Sequence, residues 1–258
     1  ANKRWILPVS RKGEIEVDSR LCGDEATLLA RWLQACSVVV GRRRAITARW
    51  AVENLNAKAL LLDDGLQYWR LERDVDIICV GAVEGFGNGS LFPRGPLREP
   101  LSGLNRAKCI VLYQSEVASK EQLLELEETI SSIAPNVPIV HINLELAPLR
   151  PSGDLKGKKV FAFCGLGSPA SFQRTLEAAG AEVVGIMPFP DHHLYDKDDV
   201  KEISERAMGA EMVVTTEKDE VNLNDLGDRL ANLYVLPIKP AISDGDRQTL
   251  VDVLRAAL

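Results

Sequence analysis

Short apolar runs rich in β-branched residues recur along this chain and alternate with amphipathic stretches, and this alternation narrows the fold more than any other feature. The runs are Trp5–Val9, Ser37–Val40, Ala59–Leu62, Val75–Val80, Cys109–Tyr113, Pro138–Ile142, Val160–Phe163, Val183–Met187, Met212–Thr215 and Leu233–Leu236. Each has the length of a buried strand. Between them, Thr27–Ala35, Ala45–Leu55, Lys120–Ile133, Ser168–Ala179, Lys197–Met208 and Asp246–Ala257 carry apolar residues at three- and four-residue steps, the signature of a helix with one buried face. Strand alternating with helix predicts an α/β fold whose sheets are mostly parallel and covered on both faces. The stretch from Ala147 to Gly153 carries Pro148 and Pro151 and precedes a fresh strand–loop–helix unit. A domain boundary is expected there, giving domains 1–148 and 149–258.

Composition removes several function classes. A formal net charge of -6 lacks the clustered basic surface that duplex nucleic acid requires, so no nucleic-acid partner is expected. The sign reverses locally at Arg42, Arg43 and Arg44, and again where Arg94, Arg98 and Arg106 fall close together. The five cysteines are widely spaced, mostly within apolar runs, and read as small buried hydrophobes of a reducing compartment. With three histidines and no Cys-x-x-Cys pair, zinc is not expected. No run of apolar residues is long enough to cross a bilayer, so any membrane contact is expected to be peripheral.

Candidate chemistry lies at the ends of the expected strands. Ala59–Leu62 runs directly into Asp63-Asp64-Gly65. Acids at the carboxyl end of such a strand can hold the magnesium of a nucleotide, although Asp-Asp-Gly is also a common turn. The glycine- and proline-rich stretch from Gly81 to Gly103 includes Arg98 and Glu99; it could approach an anion through backbone amides and arginine, or be an ordinary surface loop. Phe189-Pro190-Asp191-His192-His193 sets carboxylate beside imidazole after a strand, which suits proton transfer, a turn capping the next helix, or the Asp-His-His of metal-dependent phosphoesterases. Phe163-Cys164-Gly165-Leu166-Gly167-Ser168-Pro169 reads as strand, turn and helix start. The charges of Thr216-Glu217-Lys218-Asp219 could face a cleft or solvent. Gly-x-x-x-x-Gly-Lys-Ser/Thr, the loop that cradles nucleotide phosphates, does not occur in the sequence.

Taken in order, Gly23-Asp24-Glu25, Asp63-Asp64-Gly65-Leu66-Gln67, Phe86-Gly87-Asn88-Gly89, Gly95-Pro96-Leu97-Arg98-Glu99-Pro100, Phe163-Cys164-Gly165, Phe189-Pro190-Asp191-His192-His193 and Thr216-Glu217-Lys218-Asp219 resemble the tetraacyldisaccharide 4'-kinases across nearly the whole chain. The resemblance implies two three-layer α/β/α domains, one P-loop NTPase-like and one Rossmann-like. It implies phosphorylation of the 4'-hydroxyl of an acylated disaccharide 1-phosphate in lipid A biosynthesis, with ATP and Mg2+, by a peripheral protein at the cytoplasmic face of a bacterial inner membrane or an equivalent organelle membrane. It implies that Asp24 is the general base, partnered by His192 or His193, with the choice between them open. Asp63 and Asp64 correspond to the magnesium-binding acids, and Arg98 and Glu99 to a motif at the substrate cleft. The family's first strand, phosphate loop and following helix would precede Trp5–Val9, so the resemblance also implies a first domain truncated at its N-terminus. Lys12-Gly13 after Ser10-Arg11, and Ala26 after Glu25, depart from the family pattern. The competing expectation is a degenerate relative that binds the acylated disaccharide or a membrane surface without catalysis.

Overall fold

Along one strand, Val160, Ala162 and Cys164 alternate with Phe161 and Phe163, and all five are buried. Successive strand residues point to opposite faces, so this sheet is covered on both sides. The computed structural model describes residues 6–256; Trp5 of the first expected strand and Ala257 of the last expected helix lie outside the described residues. In chain order the elements are β1 (Ile6–Arg11), β2 (Glu14–Ile15), α1 (Ser19–Cys22), α2 (Asp24–Trp32), β3 (Val38–Gly41), α3 (Arg44–Leu55), β4 (Ile77–Gly81), β5 (Cys109–Tyr113), α4 (Lys120–Ile133), β6 (Ile139–Leu146), β7 (Lys159–Cys164), α5 (Pro169–Ala178), β8 (Glu182–Pro188), α6 (Lys197–Arg206), β9 (Met212–Thr216), α7 (Glu217–Leu223), β10 (Leu233–Leu236), β11 (Ile238–Ile242) and α8 (Asp244–Arg255). The expected α/β class holds, and most strand pairs are parallel.

The chain packs as two units, and the division differs from the one expected at 148/149. One unit holds the described residues through Leu61 together with Ala147–Pro237; the other holds Leu62–Leu146 with the described residues from Ile238 onward. Pairing explains the difference. β11 adds antiparallel to β6, so the C-terminal segment returns to the strands that precede the expected boundary. The N-terminal segment meanwhile packs α2 against α7.

In the first unit a parallel sheet runs β10-β9-β7-β8. Val160, Ala162 and Cys164 face Phe172 and Leu176 of α5. Phe161 and Phe163 face Val200 and Ile203 of α6 and Leu223 of α7. A small antiparallel sheet, β2-β1-β3, completes the unit, so the first two expected strands do not enter a parallel sheet. In the second unit the order is β11-β6-β5-β4. Ile110 and Leu112 pack on Leu126 and Ile130 of α4, while Cys109, Val111 and Val140 pack on Leu250 and Val253 of α8. A capping box at Ser119 and Gln122 starts α4 where the sequence places it.

Ala59–Leu62, expected as a strand, is not one. Among the described residues no strand pairs with it, and Leu61 is 89% exposed, so nothing satisfies the backbone in a ladder. The five cysteines are free, with Cys109 and Cys164 buried but Cys36 and Cys79 exposed, so the reading of them as buried hydrophobes holds only in part. Among the described residues no helix is long and apolar enough to cross a membrane.

Phe163 is fully buried and meets Tyr195 edge-on at 5.5 Å between ring centroids. Phe163→Ala is expected to lower the unfolding free energy by about 3–5 kcal/mol. Urea unfolding checks this, and a loss under about 1 kcal/mol would mean that the sheet face is not the continuous core described here.

Candidate functional site

Gly23 sets the site's first residue. Its φ of 90° lies in the region that favours glycine, and it lets the chain turn from the end of α1 straight into α2. Asp24 is thereby the first residue of α2, where helix N–H groups favour a carboxylate. At 7% exposure it is buried. Its carboxylate faces His192 Nδ1 at 2.9 and 3.0 Å, accepts from Asn222 Nδ2 at 3.0 Å, and accepts from the Glu25 amide at 2.9 Å. Burial pushes the Asp24 carboxyl upward, but the hydrogen bonds from Asn222, His192 and Glu25 outweigh it, and its pKa lies below the ordinary aspartate range.

Of the two adjacent histidines, the structure brings His192 to Asp24. His192 has a φ of 58°, a left-handed turn that carries its ring to Asp24. His193 points elsewhere: its Nε2 meets Asp199 at 2.8 Å, its ring stacks on Phe189 at 4.7 Å, and Asp199 belongs to the capping box of α6. His193 is thus engaged in holding the start of α6, and it does not join His192 at Asp24.

The segment Thr216–Asp219 is the floor of this site. Thr216 caps α7, and Asp219 accepts from the Gly165 amide and the Tyr195 hydroxyl, each at 2.8 Å. A side chain on Gly165 would strike Pro190 O at 2.8 Å and Asp219 Oδ1 at 3.0 Å, so the Phe163-Cys164-Gly165 turn serves close packing. Burial, together with the Asp219 charge, pushes the Tyr195 phenol far up, so this hydroxyl remains a donor. Lys218 Nζ reaches Asp191 Oδ1 at 2.6 Å, and this hydrogen bond chiefly holds Asp191 below the usual carboxylate range despite some opposing desolvation. On the outer side of α7, Glu217 and Glu220 meet Arg150, Arg31 and Trp32, which ties α2 to α7. Asn222 carries no recognisable motif in the sequence; its only signal is the one-turn spacing from Lys218.

The second unit holds the other candidates. Asp63 follows the irregular segment and is exposed, and no described side chain hydrogen-bonds or ion-pairs with it. Asp64 presents both carboxylate oxygens to Arg98 Nη1 at 3.0 Å, also at the surface. Glu99 accepts from Gln67 at 2.8 Å and from Arg106 at 2.7 Å, and Arg106 lies over the Trp69 ring at 4.5 Å. The segment from 63 to 69 and the loop ending at Arg106 are thus tied together by charge-assisted bonds. Among the described residues no three His, Cys, Asp or Glu side chains gather as a metal cage.

The profile of the Tetraacyldisaccharide-1-P 4'-kinase family matches residues 6–258. The chain belongs to this family. A tetraacyldisaccharide 4'-kinase of Halothermothrix orenii is 39% identical over 255 residues, covering 90% of this chain and 66% of the relative. One from Anaeromyxobacter dehalogenans is 42% identical over 250 residues, covering 92% of this chain and 64% of the relative. The chain therefore spans just under two thirds of the length of these kinases. Among solved structures, LpxK from Aquifex aeolicus in complex with ATP superposes with a TM-score of 0.73 at 26% identity, over 99% of this chain and 75% of that one. Within a 4'-kinase family, a buried carboxylate bonded to an imidazole is an arrangement suited to taking a proton from an alcohol.

The lowered pKa of Asp24 makes a prediction about acid stability. Because the folded value lies below the unfolded one, the carboxylate's stabilisation is fully present above the ordinary aspartate range and is lost as pH falls through the lowered folded value. Asn222→Ala is expected to raise the Asp24 titration midpoint and to shrink this contribution. Carbon-detected NMR of the Asp24 carboxyl measures it; an unmoved midpoint would exclude the Asn222 hydrogen bond as a cause.

Proposed function

We propose that this chain carries the proton-transfer machinery of a tetraacyldisaccharide 4'-kinase, and that Asp24 is its general base. The observation that carries the reading is the buried Asp24 carboxylate held by His192, Asn222 and the Glu25 amide. These donors keep it ionised and fixed in direction. Family membership supports the reaction, transfer of the γ-phosphoryl group of ATP to the 4'-hydroxyl of an acylated disaccharide 1-phosphate; an acylated substrate is what favours a peripheral encounter with a membrane surface, on the cytoplasmic side of the inner membrane where ATP is at hand. Asp24 takes the hydroxyl proton as the 4'-oxygen forms its bond to the γ-phosphorus; the bond from that phosphorus to the bridging oxygen breaks, and ADP leaves with the electron pair. His192 orients the carboxylate by hydrogen bonding and does not itself need to change protonation state in that step.

Asp63 and Asp64 are the residues that would hold Mg2+. Adjacent carboxylates are hard oxygen donors, and Mg2+ commonly takes only one or two of them alongside substrate phosphates and water, so the absence of a larger cage does not count against the pair. Asp64 shares its charge with Arg98 in an exposed pair, which costs little to rearrange. Bound there, the ion would neutralise phosphate charge. Arg98 and Glu99, in the tied loop beside these acids, are the residues we assign to substrate contact, a reading supported by their bonds to Asp64 and Gln67.

Asp24→Asn in the full-length protein is expected to lower kcat by roughly 10²- to 10⁴-fold, the usual worth of a positioned base, while nucleotide affinity stays nearly intact. Mass spectrometry of the phosphorylated disaccharide and a nucleotide-binding titration measure the two quantities. Unchanged turnover would remove Asp24 as the base.

A further inference from the structure

His192 stands between two carboxylates. Asp24 lies against Nδ1 at 2.9 Å and Asp191 lies 3.6 Å from Nε2. The two carboxylates compete for the ring hydrogens, one at each nitrogen. Lys218 alters the balance. Its Nζ lies 2.6 Å from Asp191 Oδ1, 3.5 Å from His192 Nε2 and 3.9 Å from Asp24 Oδ2.

We propose that Lys218 is a positioning residue for the Asp24–His192 pair, which neutralises Asp191 and claims the Nε2 lone pair so that the ring hydrogen resides on Nδ1, facing Asp24. An ammonium only donates, so the nitrogen that faces it must accept. A neutral ring then donates to Asp24 without delivering a full positive charge, so the carboxylate loses less basicity than it would beside an imidazolium. An imidazolium in the same place would weaken Asp24 as a base. The other charged groups nearby are committed elsewhere: His193 to Asp199, Glu217 to Trp32 and Arg150, and Asp219 to Gly165, Tyr195 and Thr216. Asn222, one turn further along α7, is neutral and bonds Asp24 directly. Lys218 itself is largely covered, at 19% side-chain exposure, on a helix whose start is fixed by Thr216 and Asp219.

The role assigned to Lys218 in turnover rests on the kinase reading, but its test does not. Nitrogen-15 NMR of the His192 ring in the unaltered protein at neutral pH is expected to show hydrogen on Nδ1 and a lone pair on Nε2. The reverse tautomer, or an imidazolium, would overturn the proposal. Lys218→Met is expected to bring hydrogen onto Nε2, which then faces Asp191 with no ammonium beside it, whereas Lys218→Arg keeps the Nε2 lone pair; an unchanged Nε2 lone pair in the folded Met variant would also overturn it. If that variant does not fold, the tautomer in the unaltered protein decides alone. In the full-length protein, Lys218→Met is expected to lower kcat about tenfold at neutral pH with KM nearly unchanged, and with recovery in Lys218→Arg. Product formation together with the wrong tautomer sinks the role of Lys218 only. The expected tautomer with no product from the full-length protein sinks the kinase reading and leaves the electrostatics standing.

Discussion

A buried carboxylate has to be paid for in hydrogen bonds, and the local architecture of the first unit is arranged around that requirement at Asp24. One donor comes from its own helix start, one from α7 and one from the turn after β8. Those three segments are far apart in sequence and converge because α2 lies against α7 and because β8 and β9 both flank β7 in a parallel sheet. Strand ends in such a sheet open on the same side, which is where loops carrying chemistry collect.

The stiffness of that convergence comes from groups that never touch Asp24. Asp219 joins the Gly165 amide, the Tyr195 hydroxyl and the Thr216 cap in one buried node. This fixes the first turn of α7, and with it the direction of Lys218 and Asn222. The neighbouring histidines then divide their labour through backbone geometry. A left-handed φ at His192 turns its ring toward Asp24, while His193 is stacked on Phe189 and bonded to Asp199. Two adjacent identical residues thus acquire unrelated roles, one at the carboxylate and one at a helix cap.

Much of this was legible from residues alone, for reasons that can be named. The strand Cys109–Tyr113 and the helix Lys120–Ile133 appear where expected, since a bounded apolar run and a capped amphipathic stretch are local signals. The residues at Asp24 and His192 by themselves marked positions, and the family resemblance paired Asp24 with one of two adjacent histidines without choosing; 168 residues separate them, and only the packed sheet shows which ring arrives. β11 escaped notice because Pro240 interrupts its pattern; an edge strand tolerates the missing donor, and an antiparallel edge is where β11 sits. Missing β11 is also what made a single boundary near 148 look sufficient. Ala59–Leu62 failed in the opposite direction: its residues suit a strand, but strand formation is a property of pairs, and no described strand pairs with it.

The contrast between the two sets of acids follows from their surroundings. Asp24 is buried, and its donors hold it as an anion in one orientation, which is what a base needs when a single proton must be taken at a defined moment. Asp63 and Asp64 are exposed, one without a described side-chain partner and the other facing an exposed arginine, so their oxygens can exchange partners at little cost. Groups that must accept and release a hydrated cation gain from that freedom, whereas a base would lose its aim. The same physical quantity, how firmly a carboxylate is held, therefore separates the two proposed roles before any ligand is considered.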